Sequence, residues 1–490
     1  MNGAPPAMTP PESPSVRRPR STAAARWKRW WPLLPAMVVA AAVGVYLVER
    51  YAEDGVVPGG AGMSAGAVGV PDPAQQLRTG AMLARAANCM ACHSARGEAP
   101  FAGGRVINTP FGNFITPNIT SDPVHGIGAW SADDFWRALH EGKSPERRFY
   151  YPAFPFTSYT RMTRADSDAL YAWMRTVPPS ARANQSHALQ FPYDQRILLA
   201  GWRALYFRAG TYVARPERSV QWNRGAYLVE GVGHCSACHA ARNALGATRA
   251  GPGLGGALIA SQDWYAPSLA AADEAGVADW ARRDVVDLLQ TGVSMRSSVF
   301  GPMAEVVAQS LQYLETTDID AMATYLQQLP GQETTKNASG AAKVSAPAAT
   351  AAGGNLVTPD ATVPRDATAQ HDDQALRDPQ LVRGAALYRN HCIDCHGADG
   401  RGAPPAYPPL AGNRALLMSS AVNPIRMVLH GGFAPATAGN PRPFGMPPFG
   451  PVLDDAQIAD LVSYLRASWG NRSPAVSREE VGRYRAVPVD

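Results

Sequence analysis

Apolar positions recur at helical spacing in three pairs of segments along the chain. The first segment of each pair opens with Gly-Ala-x-Leu, at Gly80-Ala81-Met82-Leu83, Gly225-Ala226-Tyr227-Leu228 and Gly384-Ala385-Ala386-Leu387. The second is an amphipathic run: DSDALYAWMRTVP (166–178), DIDAMATYLQQLP (318–330) and DDAQIADLVSYLRASW (454–469). Acidic residues open these runs, as helix amino termini prefer, and Pro178 and Pro330 stop two of them. No stretch alternates apolar and polar residues long enough to demand a large sheet. The pattern predicts a mainly α protein in which one unit occurs three times, at a period too long for a solenoid.

Other segments depart from that pattern. Residues 30–48, WWPLLPAMVVAAAVGVYLV, are nineteen positions without a charge, close to the roughly 20 that a helix needs to cross a hydrocarbon core. Trp30, Trp31 and Tyr46 stand near its ends, where amphipathic rings favour the headgroup layer. Six basic residues precede it against Glu12 alone, which places the amino terminus in the cytoplasm and the rest outside. A cleaved signal peptide expects a shorter apolar core and a small-x-small exit, whereas this segment runs into VYLVER. A retained anchor is therefore the expectation, and either reading exports the chain. Residues 332–376 contain no Phe, Trp or Tyr and read as a flexible tether that cannot bury enough apolar surface to order itself. Residues 49–74 read as a shorter one. FPYDQRILLAGWRALYFRAGTY (191–212) is rich in aromatics and predicts a packed connection.

Charge alters the picture only by its location. The chain has 490 residues, 45 Lys and Arg, 40 Asp and Glu, and a formal net charge of +5. That surplus sits ahead of residue 30, so no basic face is left for nucleic acid.

All six cysteines lie in the pattern Cys-x-x-Cys-His: Cys89, Cys92 and His93; Cys235, Cys238 and His239; Cys392, Cys395 and His396. Two thiols at i and i+3 fall on one side of a helical turn, spaced for thioethers to the two vinyl groups of a haem, with the histidine under the iron. Zinc half-sites pair at much shorter separations than the roughly 150 residues between these clusters. A redox Cys-x-x-Cys prefers a thioredoxin-like βαβ context, and disulfides would not explain three histidines. Three covalently bound haems c are the expectation.

The sixth ligand decides what each haem does: methionine closes the iron and favours electron transfer. Met446, in FGMPPFG, is the candidate in the third unit; Met303, in VFGPMAEVV, in the second, with Met295 as rival; and Met162, in SYTRMTRAD, in the first, with Met174 as rival. His234 and His391 precede their cysteine pairs and would be carried away from the iron. His125, His140, His187 and His430 read as surface or core histidines. Pro267 in WYAPSL and Pro409 in YPPLAG stand where a neighbouring carbonyl could accept the imidazole N–H, or are ordinary turn prolines. The chain has no P-loop, no dinucleotide fingerprint after a strand and no evident acid–base pair for organic substrate chemistry.

Over about residues 75–475 the chain resembles the three-haem cytochrome c subunits of membrane-bound bacterial dehydrogenases, which oxidise alcohols, aldehydes, sugars or gluconate in the periplasm. The resemblance rests on FGNFITPNITSDPVHGIGAWSADDFWRALHEGKSP, YYPAFPFTSYTRMTRADSDALYAWM, WNRGAYLVEGVGHCSACHAARNALGA, WYAPSL, GPMAEVV and MPPFGPVL. It implies a catalytic partner carrying a quinone, flavin or molybdenum cofactor, and delivery of electrons to ubiquinone or a terminal oxidase. Relatives of the alcohol dehydrogenase type often carry a methionine in the stretch that here reads YPAFPF, with Phe154. The alternatives are a stand-alone membrane carrier and a catalytic cytochrome with one open haem. The expected division is a basic cytoplasmic tail (1–29), a transmembrane anchor (30–48), a linker (49–74), a first cytochrome c domain (75–185), a connection (186–217), a second domain (218–331), a flexible linker (332–376), a third domain (377–475) and a tail (476–490). The anchor would hold the chain in the bacterial inner membrane, with the haem domains in the periplasm.

Overall fold

The computed structural model describes residues 43–49, 72–248, 253–260, 262–330 and 378–487. Residues 43–49, helical, belong to a unit of their own (Met1–Ala52). The remaining described residues belong to the second unit, Glu53–Asp490. Most of the anchor segment 30–48, and the linkers 49–74 (apart from 49 and 72–74) and 332–376, lie outside the described residues. Among the described residues no helix is long and apolar enough to cross a membrane.

Within the second unit, three repeats each begin with a leading helix and end with a closing helix. The leading helices are Pro73–Ala86, Val220–Ala226 and Pro379–His391, the second continuing as a wider π-helical turn over Tyr227–Val232. The closing helices are Arg164–Met174, Thr316–Gln327 and Asp455–Ala467. Local chemistry starts them. Asp72, Ser219 and Asp378 accept hydrogen bonds from backbone N–H groups of the first turn of each leading helix, and Pro73 and Pro379 occupy the first helical position, where no N–H is needed. Thr163 caps the first closing helix, and Asp454 and Gln457 form a reciprocal capping box on the third.

The leading and closing helices cross at the glycine of Gly-Ala-x-Leu. A Cβ at Gly80 would lie 2.1 Å from the Ala169 carbonyl oxygen, at Gly225 2.0 Å from that of Ala321, and at Gly384 2.2 Å from that of Asp460. Four residues further along each closing helix stands an aromatic residue, Trp173, Tyr325 or Tyr464, whose own Cβ also abuts the glycine. No side chain larger than hydrogen fits, so the backbones meet.

Around these crossings lie two hydrophobic cores. One runs without a break through the first and second repeats, from Leu83, Met162 and Leu170 to Val229, Val307 and Ile319. The other is the third repeat's own, with Ile425, Leu461, Val462 and Val481. Strands are few and short among the described residues. β1 (Val106–Thr109) pairs with β2 (Gly112–Ile115), and β2 pairs with β3 (Ala188–Leu189) from the connection; β4 (Gly255–Ile259) pairs with β5 (Trp264–Ser268).

Two segments differ from expectation. The connection is a helix, Leu198–Tyr206, held by Arg203. That buried guanidinium donates to the Glu141 carbonyl and lies against the rings of Phe149 and Phe207. Its other face leaves Leu198 and Leu205 exposed, so the segment is packed on one side only. The residues read as a tail from 476 onward instead form a helix, Arg478–Arg485, that buries Val481 and Tyr484 in the third core. Arg485 fastens it, bonding Asp455 and the carbonyls of Gly450 and Leu453. This helix is mostly charged, and two apolar side chains give too narrow a stripe to be legible.

Gly384→Ala should lower the stability of the third repeat by about 1–3 kcal/mol, the usual cost of overpacking. Gly201→Ala, in the connecting helix where nothing lies within 4 Å of the added methyl, should be neutral or stabilise by about 0.5–1 kcal/mol. Denaturant unfolding followed by circular dichroism checks both; equal responses would mean that the crossing is not tight.

Candidate haem sites

Each Cys-x-x-Cys-His cluster sits on one short helical turn, directly after or near the leading helix. In the first two repeats a residue with positive φ, Asn88 (49°) or His234 (39°), turns the chain into the cluster. Backbone bonds from His239 N to Cys235 O (2.9 Å) and from His396 N to Cys392 O (3.0 Å) put the first cysteine and the histidine one helical turn apart on the same side. The middle cysteines, Cys92, Cys238 and Cys395, are exposed.

The three histidines share one second partner. His93 Nδ1 lies 2.8 Å from the Pro117 carbonyl oxygen, His239 Nδ1 2.7 Å from that of Pro267, and His396 Nδ1 3.1 Å from that of Pro408. A carbonyl can only accept, so the proton is on Nδ1 in all three rings and Nε2 presents a lone pair. Burial pulls each imidazole below its ordinary pKa, against the opposing pull of the carbonyl bond. Neutral rings with Nε2 free for a metal are the form that an axial ligand requires. The thiols of Cys89, Cys235 and Cys392 are pushed up to about 12, first by burial and then by the second cysteine of each pair. Among the described residues no three His, Cys, Asp or Glu side chains gather as a metal site. The donor set therefore fits haem attachment with one imidazole per site.

The carbonyl partners are half legible in the sequence. Pro267 is the proline singled out in WYAPSL. In YPPLAG the acceptor is Pro408, one residue before Pro409, whose own carbonyl takes the Asn413 amide instead. Pro117 escapes the sequence reading, although ITPNI and YAPSL share a proline followed by a small polar and an aliphatic residue.

The methionines are placed as follows. Met446 lies in a two-residue strand opposite Gly432 and packs against the third core. Met303 is the second residue of helix Pro302–Gln309 and packs against the shared core, whereas its rival Met295 is 60% exposed. Met162 is fully buried in the turn that precedes Thr163, and Met174 is equally buried within the closing helix. Phe154 packs on the same core.

The first two clusters lie close together. His234 bonds across to the Ala87 carbonyl, just ahead of Cys89, and the Tyr159 hydroxyl donates to the same oxygen. Arg105 donates to the carbonyl of Ala91, between the first pair of cysteines, and forms an ion pair with Glu305 at 2.7 Å. Glu305 is two residues beyond Met303, so the helix that begins with the second repeat's methionine rests on the first repeat's cluster. Cys92 is near enough to act on the ionisation of Cys238.

Helical repeats, glycine crossings and half-buried imidazoles on a Cys-x-x-Cys-His turn define a c-type cytochrome. The sequence profile of the family described as Cytochrome c matches residues 77–178 and 381–469. The chain is 33% identical to the cytochrome c subunit of the quinone alcohol dehydrogenase of Gluconobacter oxydans, over 84% of this chain and 82% of that one. It is 34% identical to the gluconate 2-dehydrogenase cytochrome c subunit of Pantoea cypripedii, over 84% and 89%. It is 35% identical to a subunit of the nicotinate dehydrogenase of Pseudomonas putida over 95% of this chain, a match that spans 36% of that protein. The chain belongs to the family of cytochrome c subunits of bacterial dehydrogenases, whose haem is covalently bound.

Arg105 and Glu305 are partly exposed, so a double-mutant cycle of Arg105→Ala and Glu305→Ala should return a coupling of about 0.5–1 kcal/mol. Denaturation at low and high salt checks it, and the coupling should shrink as salt screens the pair.

Proposed function

We propose that this chain is a triheme electron relay of the bacterial inner membrane, anchored by residues 30–48 with its amino terminus in the cytoplasm and its three haem domains in the periplasm. Haem c, when bound, supplies a one-electron centre at each site. Cys89 with Cys92, Cys235 with Cys238, and Cys392 with Cys395 hold the three groups covalently. His93, His239 and His396 each offer Nε2 while Nδ1 stays committed to its proline carbonyl. Met162, Met303 and Met446 would supply the sixth ligands, a choice that favours electron transfer over binding of small molecules. The observation that carries the reading is the bond from histidine Nδ1 to a proline carbonyl, repeated behind all three clusters at 2.7–3.1 Å.

The relatives are named for dehydrogenases of alcohol, gluconate and nicotinate. They support a catalytic dehydrogenase subunit as electron donor; a quinone, flavin or molybdenum cofactor in that subunit is part of the proposal. Electrons would leave towards ubiquinone or a terminal oxidase. The chain itself would orient, space and shield the carriers.

Membranes solubilised in mild detergent should yield the chain with a large dehydrogenase, and pyridine haemochrome assay should give three haems per chain. Haem without a dehydrogenase would favour a stand-alone carrier. Carbon monoxide should leave the reduced parent protein unchanged but bind one haem of Met446→Ala, with the haem count preserved. No binding by that variant would reassign the third sixth ligand, and binding by the parent would favour a catalytic cytochrome.

A further inference from the structure

Strand β5 has one edge against β4, with Ala266 opposite Ala257. Carbonyls two residues apart in a strand point the same way, so those of Tyr265 and Pro267 project together from the other edge. Pro267 accepts from His239 there, at 2.7 Å. Tyr265 is met by a single side chain of the third repeat: its N–H donates to Asn423 Oδ1 at 3.0 Å, and its carbonyl accepts from Asn423 Nδ2 at 2.8 Å. A carboxamide that takes one N–H and gives one N–H to the same residue does what a neighbouring strand would do. Asn423 is buried, on helix Val422–His430.

The first repeat builds the corresponding device from its own side of the chain. Ile115 stands two residues before Pro117, as Tyr265 stands before Pro267. The Ile115 N–H donates to His187 Nδ1 at 3.2 Å, and the residues that follow, β3, pair with β2 as a third strand. In the second repeat the described sheet has two strands only, and the place of His187 is taken by Asn423, more than 150 residues away in sequence.

We propose that Asn423 is a positioning residue for the second haem site: the third repeat supplies the missing edge partner of β5, and thereby sets how the Pro267 carbonyl holds His239. The proposal rests on the reading of His239 as an axial ligand. A carbonyl that accepts from Nδ1 makes the imidazole more basic and favours the oxidised metal. Slackening the strand therefore moves the potential of that site upward, and leaves the other two where they are.

The test uses the full-length, haem-loaded chain. Midpoint potentials of Asn423→Ala, measured by spectroelectrochemistry, should show one of three values shifted in the positive direction. The ratio of reduced to oxidised form of that one haem at fixed potential should rise. The low-spin electron paramagnetic signal of the same haem should shift with it. Three unchanged potentials with intact haem content would overturn the proposal, and so would a common shift of all three. Arg414→Ala removes the neighbouring contact to Asp279 (2.6 Å) without touching β5; an equal shift there would assign the effect to the interface at large and overturn the role of Asn423. If Asn423→Ala does not accumulate, Asn423→Leu keeps the volume and adds no charge, and loses both hydrogen bonds to Tyr265. It should move the same potential the same way, and no movement overturns the idea. A parent chain without three haems would sink the functional reading instead, so the two failures are distinguishable.

Discussion

The constraint on which the structure depends is the contact between leading and closing helix at Gly80, Gly225 and Gly384. A β-carbon at any of them would fall inside the radius of a facing carbonyl oxygen. The crossing fixes the distance between two helix axes, and the attachment turn begins within a dozen residues of the glycine in each repeat. A shift of either helix would move the cysteines and the histidine as one piece. The same three positions also carry the cost of glycine in a helix interior, about 0.5–1 kcal/mol each. That cost is offset by close packing against Trp173, Tyr325 and Tyr464.

From that frame the sites take their second requirement, a fixed carbonyl behind each histidine. Proline suits the place because it has no N–H to satisfy and a restricted backbone. What differs between repeats is how the acceptor segment is braced. In the first, Asn118, next to Pro117, donates its side-chain amide to the carbonyls of Ser180 and Arg182 and its backbone N–H to Asn184 Oδ1. In the second, Glu274 takes the N–H of Ser268 and the hydroxyl of Tyr265, while Asn423 holds the edge. In the third, Pro409 and Asn413 close the turn locally.

The parts that were legible in the sequence share a cause. Helix pairs, the glycine motif and the cysteine clusters are local patterns that recur in phase, so each copy interprets the others. Asn423, Arg105 and Glu305 belong to no local pattern. Their partners lie on other repeats, and nothing in the spacing of Asn423 from Tyr265 signals an edge strand completed by a side chain. The helix Arg478–Arg485 hid for a different reason: its start carries Ser477 three residues before Glu480, and Ser477 accepts the Glu480 N–H, but only Val481 and Tyr484 of its eight residues turn inward. Met162 and Met174 stay indistinguishable by burial alone, since both are enclosed by the shared core.

The two junctions between repeats are unlike in kind, and this bears on how the assembly works. The first and second repeats are joined by apolar side chains within one core, so parting them would expose hydrocarbon to water and is strongly opposed. The third packs one second-repeat side chain, Tyr265, on its core, and otherwise meets the second largely through polar groups: the Asn423 amide on Tyr265, Arg414 on Asp279 and the Gly276 carbonyl, Thr437 on the Thr291 carbonyl, and the Arg426 guanidinium over the Trp264 ring. Water can replace most of those hydrogen bonds, so each contributes only about 0.5–1.5 kcal/mol net. Geometry, more than apolar burial, is what this junction supplies. Directional bonds fix the register of helix Val422–His430 on β5 to within the tolerance of a hydrogen bond. That is the property needed where a strand edge also sets the orientation of a histidine in the neighbouring repeat.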